Sequence, residues 1–151
     1  MIPIATNRLR TVLDGFHIVP AYVLLGLLKH LVPLRSLAKW TWCETTGPRD
    51  RLAERRLTAN VLRLSKLLRI ADRDCLQRSL LLYRVLSRAG ADPTLVAGFQ
   101  RRNGRIIGHA WVVVDGRAVV ESDADLLKFS PALGFGSRGA LLSALPDPHA
   151  A

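Results

Sequence analysis

Two short turn signals, Asn103-Gly104 and Asp115-Gly116, limit the folds that are open to this chain. Each pair interrupts a run rich in Val, Ile, Phe and Trp, and such pairs between β-forming runs are strong signals of a β-hairpin. The chain is therefore predicted to form three successive antiparallel strands, beginning near Thr94. A small antiparallel sheet needs helices over one face, so the pattern indicates an α+β fold.

The segment before these strands predicts a helix with a cysteine in its first turn. Asp72 or Asp74 can cap the start, helix-forming residues continue to Arg88, and Gly90 is placed to end the helix. At helical rotation, Cys75 faces inward, and the opposite, outward face is predicted to carry Gln77, Arg84 and Arg88. A helix N-terminus stabilises a thiolate and offers N–H groups to an oxyanion. The alternative is a small buried hydrophobic cysteine.

His109 lies on the second predicted strand, and the turn that follows decides which carboxylate it meets. If Asp115-Gly116 is a two-residue turn, His109 and Glu121 lie on opposite sides of the sheet. If Val114-Asp115-Gly116 is a three-residue loop, His109 lies opposite Glu121, with Asp123 one step along on the same face. We favour the three-residue loop, because it puts beside the imidazole a carboxylate that can fix its tautomer.

These residues form a candidate nucleophile, base and orienting acid in chain order: Cys75, His109 and Glu121, with Asp123 as the alternative acid. Taken singly, each residue has an ordinary structural explanation. Together they match the arrangement by which thiol hydrolases and acyl transferases activate a cysteine. The ordered set therefore favours catalysis over packing.

Longer motifs surround these positions: Cys75-Leu76-x-Arg78-Ser79-Leu80-x-Leu82-Tyr83, then Leu95-Val96-x-Gly98, then His109-Ala110-Trp111-Val112-x-Val114-Asp115-Gly116-Arg117. Across about residues 55–125 they closely resemble the transglutaminase-like leader peptidases of lasso-peptide biosynthesis. The resemblance implies a papain/transglutaminase-like fold, with the cysteine-bearing helix packed on a small antiparallel sheet. It also implies a cysteine protease that cuts the leader from a ribosomally made precursor, which prepares the core peptide for a separate ATP-dependent cyclase.

Carried over from that family, the nucleophile is Cys75, the base is His109 and the acid is Glu121. Many family members have aspartate as the acid, so Glu121 is a departure and Asp123 stays a rival. The resemblance implies two partners, the precursor leader peptide and a separate small winged-helix protein that recognises it, because the chain has no room for a fused recognition domain. The lasso cyclase is a further candidate partner.

Length and composition indicate one globular domain of 151 residues, 49% of them hydrophobic and 23% charged. We divide it into an N-terminal helical segment (1–48), a catalytic core (49–130) and a C-terminal tail (131–151). Two cysteines, Cys43 and Cys75, are too few for a disulfide framework and lack the paired spacing of a zinc site. A reduced, cytoplasmic setting without a metal or cofactor is expected.

The net charge of +10 is concentrated in the N-terminal, mainly helical part of the chain. A basic face can bind nucleic acid, anionic lipid or an acidic protein. No aromatic ladder or phosphate loop accompanies it, so an acidic partner or leader is favoured over nucleic acid. The candidate face is the arginine-rich side of a helix predicted over residues 50–70, whose apolar side holds Leu52, Leu57, Val61, Leu64 and Leu68.

An apolar run, Ile18–Leu28, is shorter than the ~20 residues of a membrane-spanning helix. It predicts a core helix from about Pro20 to Leu31, and a peripheral membrane contact is the less favoured interpretation. A further short helix is predicted in residues 1–15. Two other functions stay open: an acyl transferase that passes the same thioester to an amine, and a non-catalytic basic scaffold that binds a partner.

Overall fold

The computed structural model describes residues 17–68 and 75–145. The predicted helix in residues 1–15 and the caps Asp72 and Asp74 lie outside these ranges. In chain order, the described elements are α1 (17–28), α2 (Leu34–Thr41), α3 (Arg51–Leu67), α4 (Cys75–Arg88), β1 (Thr94–Arg102), β2 (Arg105–Val114), β3 (Arg117–Ala118), α5 (Asp123–Leu126), β4 (Ser130–Phe135) and a 3-10 turn (Ser137–Gly139).

The four strands form one antiparallel sheet in the order β3-β2-β1-β4. The turn between β1 and β2 is Asn103-Gly104, with φ of 51° and 74°, and the turn between β2 and β3 is Asp115-Gly116, with φ of 52° and 77°. Positive φ at both positions is the geometry that Asn-Gly and Asp-Gly adopt in two-residue hairpins. The predicted α+β fold is confirmed, with helices packed on a small antiparallel sheet.

The favoured three-residue loop is wrong, because Val114 pairs with Arg117 and Val113 pairs with Ala118. A two-residue turn with both φ angles positive has the twist of the flanking strands, so it needs no bulge. The turn is also held from outside the sheet. The guanidinium of Arg49, just before α3, donates to the carboxylate of Asp115 over 2.8 Å.

The strand β4, which pairs with β1 at the edge of the sheet, was not predicted. Residues 131–151 are rich in Gly, Pro, Ser and Ala, a composition that predicts a tail. Pro131 and Gly134 weaken the sequence signal of a strand, but both are tolerated on an edge strand, where one side makes no ladder bonds. Phe135 at its end is buried in the main core, so this segment belongs to the folded domain.

Helix α4 lies at the centre of the domain and packs against α2, α3, β1 and β2. Its buried residues extend almost all the way round the helix: Gln77, Ser79, Leu80, Leu81, Leu82, Tyr83, Val85, Leu86 and Ser87. A second apolar cluster covers the opposite face of the sheet and contains Val96, Trp111, Val113 and Leu126. The helices therefore cover one face of the sheet, and Leu126 of α5 covers part of the other.

Gln77 is buried, with 4% of its surface exposed, and not on an outward face as predicted. Its amide nitrogen donates to the backbone carbonyl of Tyr22 in α1 over 2.6 Å. Because α1 covers α4 at this point, a polar residue there must be satisfied by a partner. The helix periodicity was correct, but the sequence did not show that a second helix lies over that side.

Helices α1 and α3 bury one face each. In α1 the buried residues are Ile18, Tyr22 and Leu25, while Val19, Val23, Leu24 and Leu27 are exposed, so the prediction of a wholly buried core helix was too broad. In α3 Leu57 and Val61 are buried as predicted, but Leu52 and Leu68, near its ends, are exposed. Among the residues described, no helix has the length and apolar character to cross a membrane.

Candidate active site

Cys75 begins α4 beside the outer edge of β2. One turn further along, the hydroxyl of Ser79 donates to the backbone carbonyl of Ala110 over 2.8 Å, which ties the helix to the strand. The backbone N–H groups of Ala110 and Leu76 contribute to lowering the pKa of the Cys75 thiol. The helix start therefore presents the thiol to the strand edge, as predicted for a residue in the first turn.

His109 lies on β2, next to Ala110 in sequence, and its imidazole interacts with the Cys75 thiol. Two aromatic rings pack against the imidazole: Trp111 at a centroid distance of 6.0 Å and Phe129 at 4.8 Å. The side chain of His109 keeps 20% of its surface exposed. The rings hold the imidazole in place and limit the water around it, while one side stays open.

Glu121 contacts His109 in spite of the two-residue turn, with its Oε1 atom 3.5 Å from Nε2 of the imidazole. The strand β3 ends at Ala118, and strand alternation no longer controls which side of the sheet the following residues face. Glu121 can therefore return to the histidine side. Because Glu121 occupies the Nε2 side of the ring, Nδ1 is the nitrogen left for Cys75.

Asp123 begins α5 and is exposed. Of the carboxylates in the described residues, Glu121 is the one within salt-bridge distance of the imidazole. The structure therefore brings together three of the four candidate residues, Cys75, His109 and Glu121, and places Asp123 outside this contact.

Arg78 is part of the site and was not identified from the sequence as a functional residue. Its guanidinium donates to Oε1 of Glu121 over 2.5 Å, and the two side chains keep only 14% and 10% of their surface exposed. The sequence feature that could have identified Arg78 is its position one helical turn after Cys75, which places both residues on the same side of α4. A buried ion pair of this kind fixes the carboxylate and keeps it ionised.

The pKa values of the three residues all shift so that the charged form is favoured, downward for Cys75 and Glu121 and upward for His109. Burial would raise the pKa of the Cys75 thiol, but the hydrogen bond with His109, the Ala110 N–H and the charge of the imidazolium together lower it. Hydrogen bonds to Cys75 and Glu121 raise the pKa of His109 to about 9. Burial opposes ionisation of Glu121, yet His109 and Arg78 lower its pKa. Each shift favours the charged form of its group: the thiolate, the imidazolium and the carboxylate.

Both cysteines are free thiols. The backbone N–H of Cys43 donates to the hydroxyl of Ser87 over 3.0 Å, near the far end of α4. In the described ranges, no group of three His, Cys, Asp or Glu side chains could hold a metal ion. The chemistry that the site residues themselves can supply is nucleophilic attack by sulfur with proton transfer through an imidazole.

A comparison with protein families gives a match to the transglutaminase-like superfamily over residues 18–134. The match covers most of the chain, including Cys75, His109 and Glu121, so the chain belongs to the transglutaminase-like superfamily. That superfamily includes cysteine proteases and acyltransferases. No curated protein and no solved structure matches the chain.

Proposed function

We propose that the protein is a cysteine peptidase that removes the leader peptide from a lasso-peptide precursor. The observation that carries the proposal is the contact of the Cys75 thiol with an imidazole whose other ring nitrogen faces Glu121. Membership of the superfamily supports a cysteine-dependent enzyme. The leader-peptidase activity rests in addition on the sequence motifs around Cys75 and His109.

In the proposed mechanism, the Cys75 thiolate attacks the carbonyl carbon that precedes the core peptide. The backbone N–H at the start of α4 stabilises the oxyanion. The imidazolium of His109 then protonates the nitrogen of the scissile bond, and the core peptide leaves with a free α-amine. A thioester remains between Cys75 and the leader. His109, now neutral, takes a proton from the water that attacks the thioester. The intermediate then breaks down to the leader, whose carboxylic acid loses its proton to solvent, and to the Cys75 thiolate, which restores the thiolate–imidazolium pair.

Glu121 acts as a positioning residue for His109, and Arg78 positions Glu121. The carboxylate favours the imidazole tautomer with a proton on Nε2 and stabilises the imidazolium. Because Arg78 holds the same Oε1 atom, the carboxylate has one preferred position. The acid therefore supports the base without approaching the substrate.

The proposal includes partners: the precursor leader peptide, a separate winged-helix leader-recognition protein, and the lasso cyclase as a further candidate in the cytoplasm. The basic side of α3 is the candidate docking surface, since Arg51, Arg55 and Arg63 are exposed there. An acidic partner surface would complement it.

The test is a reaction of the protein with a lasso-peptide precursor, with and without the winged-helix recognition protein, followed by mass spectrometry. The expected products are a leader with a free carboxylate and a core peptide with a new α-amine, formed faster when the recognition protein is present. Intact precursor in both reactions would contradict the proposal.

An acyl transferase is the second candidate, because the same thioester can be attacked by an amine. The packing of Trp111 and Phe129 against His109 favours it, since both rings limit water beside the base. Adding an amine such as glycine methyl ester to the reaction separates the two functions. A leader amide as the main product supports the transferase, and a leader carboxylate supports the peptidase.

Replacing Glu121 with glutamine is expected to lower kcat/KM for precursor cleavage by roughly 10²-fold, since the imidazolium loses its negatively charged partner. The matched control is Asp123→Asn, which removes a nearby exposed carboxylate and should change kcat/KM by less than about twofold. Thermal unfolding of both variants checks that loss of the ion pair with Arg78 has not unfolded the protein. A larger loss in Asp123→Asn than in Glu121→Gln would assign the acid to Asp123.

A further inference from the structure

The outer edge of β2 is open on the side where Cys75 lies. β2 pairs with β1 from Arg105 to Val113, but β3 pairs with it only at Val113 and Val114. Within the described ranges, no other strand pairs with this edge. The residues from Arg105 to Gly108 are exposed, and 69% of the surface of Ile106 is accessible. Among the described residues, a row of backbone groups without a strand partner therefore leads away from the active site.

The register shows which backbone groups point out of this edge. Arg102 and Arg105 close the two-residue turn, so they exchange hydrogen bonds within the hairpin, and every second residue of β2 from Arg105 does the same. The residues between them point outward: Ile106, Gly108, Ala110 and Val112. Two contacts agree with this assignment, because Ala110 accepts from Ser79 and Val112 accepts from the N–H of Val119.

This outward row passes directly into the active site. Ser79, one turn after Cys75, donates to the carbonyl of Ala110 over 2.8 Å, so the first turns of α4 lie at this residue of the row. Gly108 is the next residue of the row, about 7 Å further along the strand, and Ile106 follows it. A peptide with its reacting carbonyl at the sulfur would therefore have its neighbouring residues beside the free N–H and C=O groups of Gly108 and Ile106.

Gly108 also leaves space at this edge. A Cβ atom at this position would meet nothing closer than the backbone oxygen of Gly98, at 3.9 Å. The packing of the described residues therefore does not require glycine at this position. Because Gly108 has no side chain, another backbone can approach the strand next to the reactive sulfur.

We infer that the outer edge of β2, at Ile106 and Gly108, binds the peptide substrate as an added antiparallel or parallel strand. This inference rests on the proposed function and specifies how the substrate is held. Recognition through backbone groups fixes an extended peptide beside Cys75 and tolerates different side chains. The bound chain would complete the side of β2 that the short strand β3 leaves unpaired.

The test measures how fast peptide-linked electrophiles label Cys75 in a Cys43→Ser background. One reagent is acetyl-Val-Thr-Val-Ala-Gly chloromethyl ketone, and the other is chloroacetyl-Gly-Ala-Val-Thr-Val-amide. They place the peptide on either side of the reacting carbon, and in both the sulfur displaces chloride to form a thioether. Intact-mass spectrometry gives each rate, and the rate with iodoacetamide, which has no peptide, is the reference for every variant.

The decisive variant is Ile106→Pro, which removes one outward N–H while the strand pairing with β1 is kept. At least one peptide reagent should label wild-type Cys75 faster than its single-glycine analogue. Its rate relative to iodoacetamide should fall about three- to tenfold in Ile106→Pro, the effect of losing one backbone hydrogen bond. The matched control is Arg101→Pro, which removes an N–H from the opposite edge of the same hairpin and should change this ratio by less than about twofold.

Three results would contradict strand addition: peptide reagents no faster than their single-glycine analogues, an unchanged ratio in Ile106→Pro, or an equal fall in Arg101→Pro. Failure of the proposed function gives a different result. In that case iodoacetamide itself would react slowly with wild-type Cys75 at neutral pH. If iodoacetamide reacts fast but the peptide reagents show no rate advantage, Cys75 is still supported as the nucleophile, and the edge of β2 is excluded as the substrate site.

Discussion

Replacing Cys75 with alanine is expected to abolish precursor cleavage, with kcat/KM falling at least about 10⁴-fold. The physical reason is that the Cys75 sulfur is the atom that attacks the scissile carbonyl in the proposed mechanism. Without the sulfur, no thioester forms, and the leader stays attached to the core peptide. The measurement is quantitative mass spectrometry of the precursor and its products over time, in the presence of the recognition protein.

Cys43→Ala is the matched control for this prediction. Cys43 is the second free thiol of the chain, and its backbone N–H donates to the hydroxyl of Ser87. This variant should cleave the precursor at the wild-type rate within about twofold. Undiminished cleavage by Cys75→Ala, or loss of cleavage only in Cys43→Ala, would contradict the assignment of the nucleophile.

Replacing His109 with glutamine is the second large effect that we expect, a fall in kcat/KM of about 10³-fold or more. Glutamine keeps a polar side chain but cannot become a cation or transfer a proton. The thiol also loses the hydrogen bond and the charge that lower its pKa, so the variant should have less thiolate near neutral pH. Cleavage kinetics measure the fall in kcat/KM.

The pH dependence of the wild-type enzyme follows from the same pair. The imidazolium must donate a proton to the leaving nitrogen, and the pKa of His109 is raised to about 9. Cleavage should therefore fall as the pH rises above that value, and it should fall at low pH once the thiolate is protonated. Activity in His109→Gln that matches the wild type across this range would exclude His109 as the base.

The sequence predicted the parts of the site that depend on local structure. The start and end of α4 follow from helix-forming residues and Gly90, whose φ of 82° suits a helix end. The two hairpin turns follow from Asn-Gly and Asp-Gly. These local rules were enough to put Cys75 at a helix start and His109 on a neighbouring strand.

The sequence could not predict features that depend on distant segments. The contact of Glu121 with His109 was predicted for the wrong reason, because the register is that of the two-residue turn and Glu121 comes back only after β3 has ended. The burial of Gln77 depends on α1, which lies far away in the chain. Identifying Arg78 as part of the site required the position of Glu121. That position could not be predicted, because alternation along a strand gives no information about residues beyond the end of the strand.

The edge strand β4 shows a further limit. Its Pro and Gly residues favour a loop by intrinsic preference, and pairing with β1 outweighs that preference. Tertiary contacts of this kind are set by the neighbouring strand, so a local pattern does not contain them. The division of the chain after residue 130 therefore separated a strand from the sheet to which it belongs.

The most direct test of the account is the pH dependence of Cys75 alkylation by iodoacetamide in the Cys43→Ser protein. Since only the thiolate reacts, an ordinary thiol loses about tenfold in rate for each pH unit below a pKa near 8.5. We predict that the rate rises less steeply with pH between about pH 7 and 8 in the wild type, where His109 lowers the pKa of the thiol, than in His109→Gln. A steep rise in the wild type, matching the variant, would show that Cys75 and His109 form no ion pair and would contradict the proposed nucleophile.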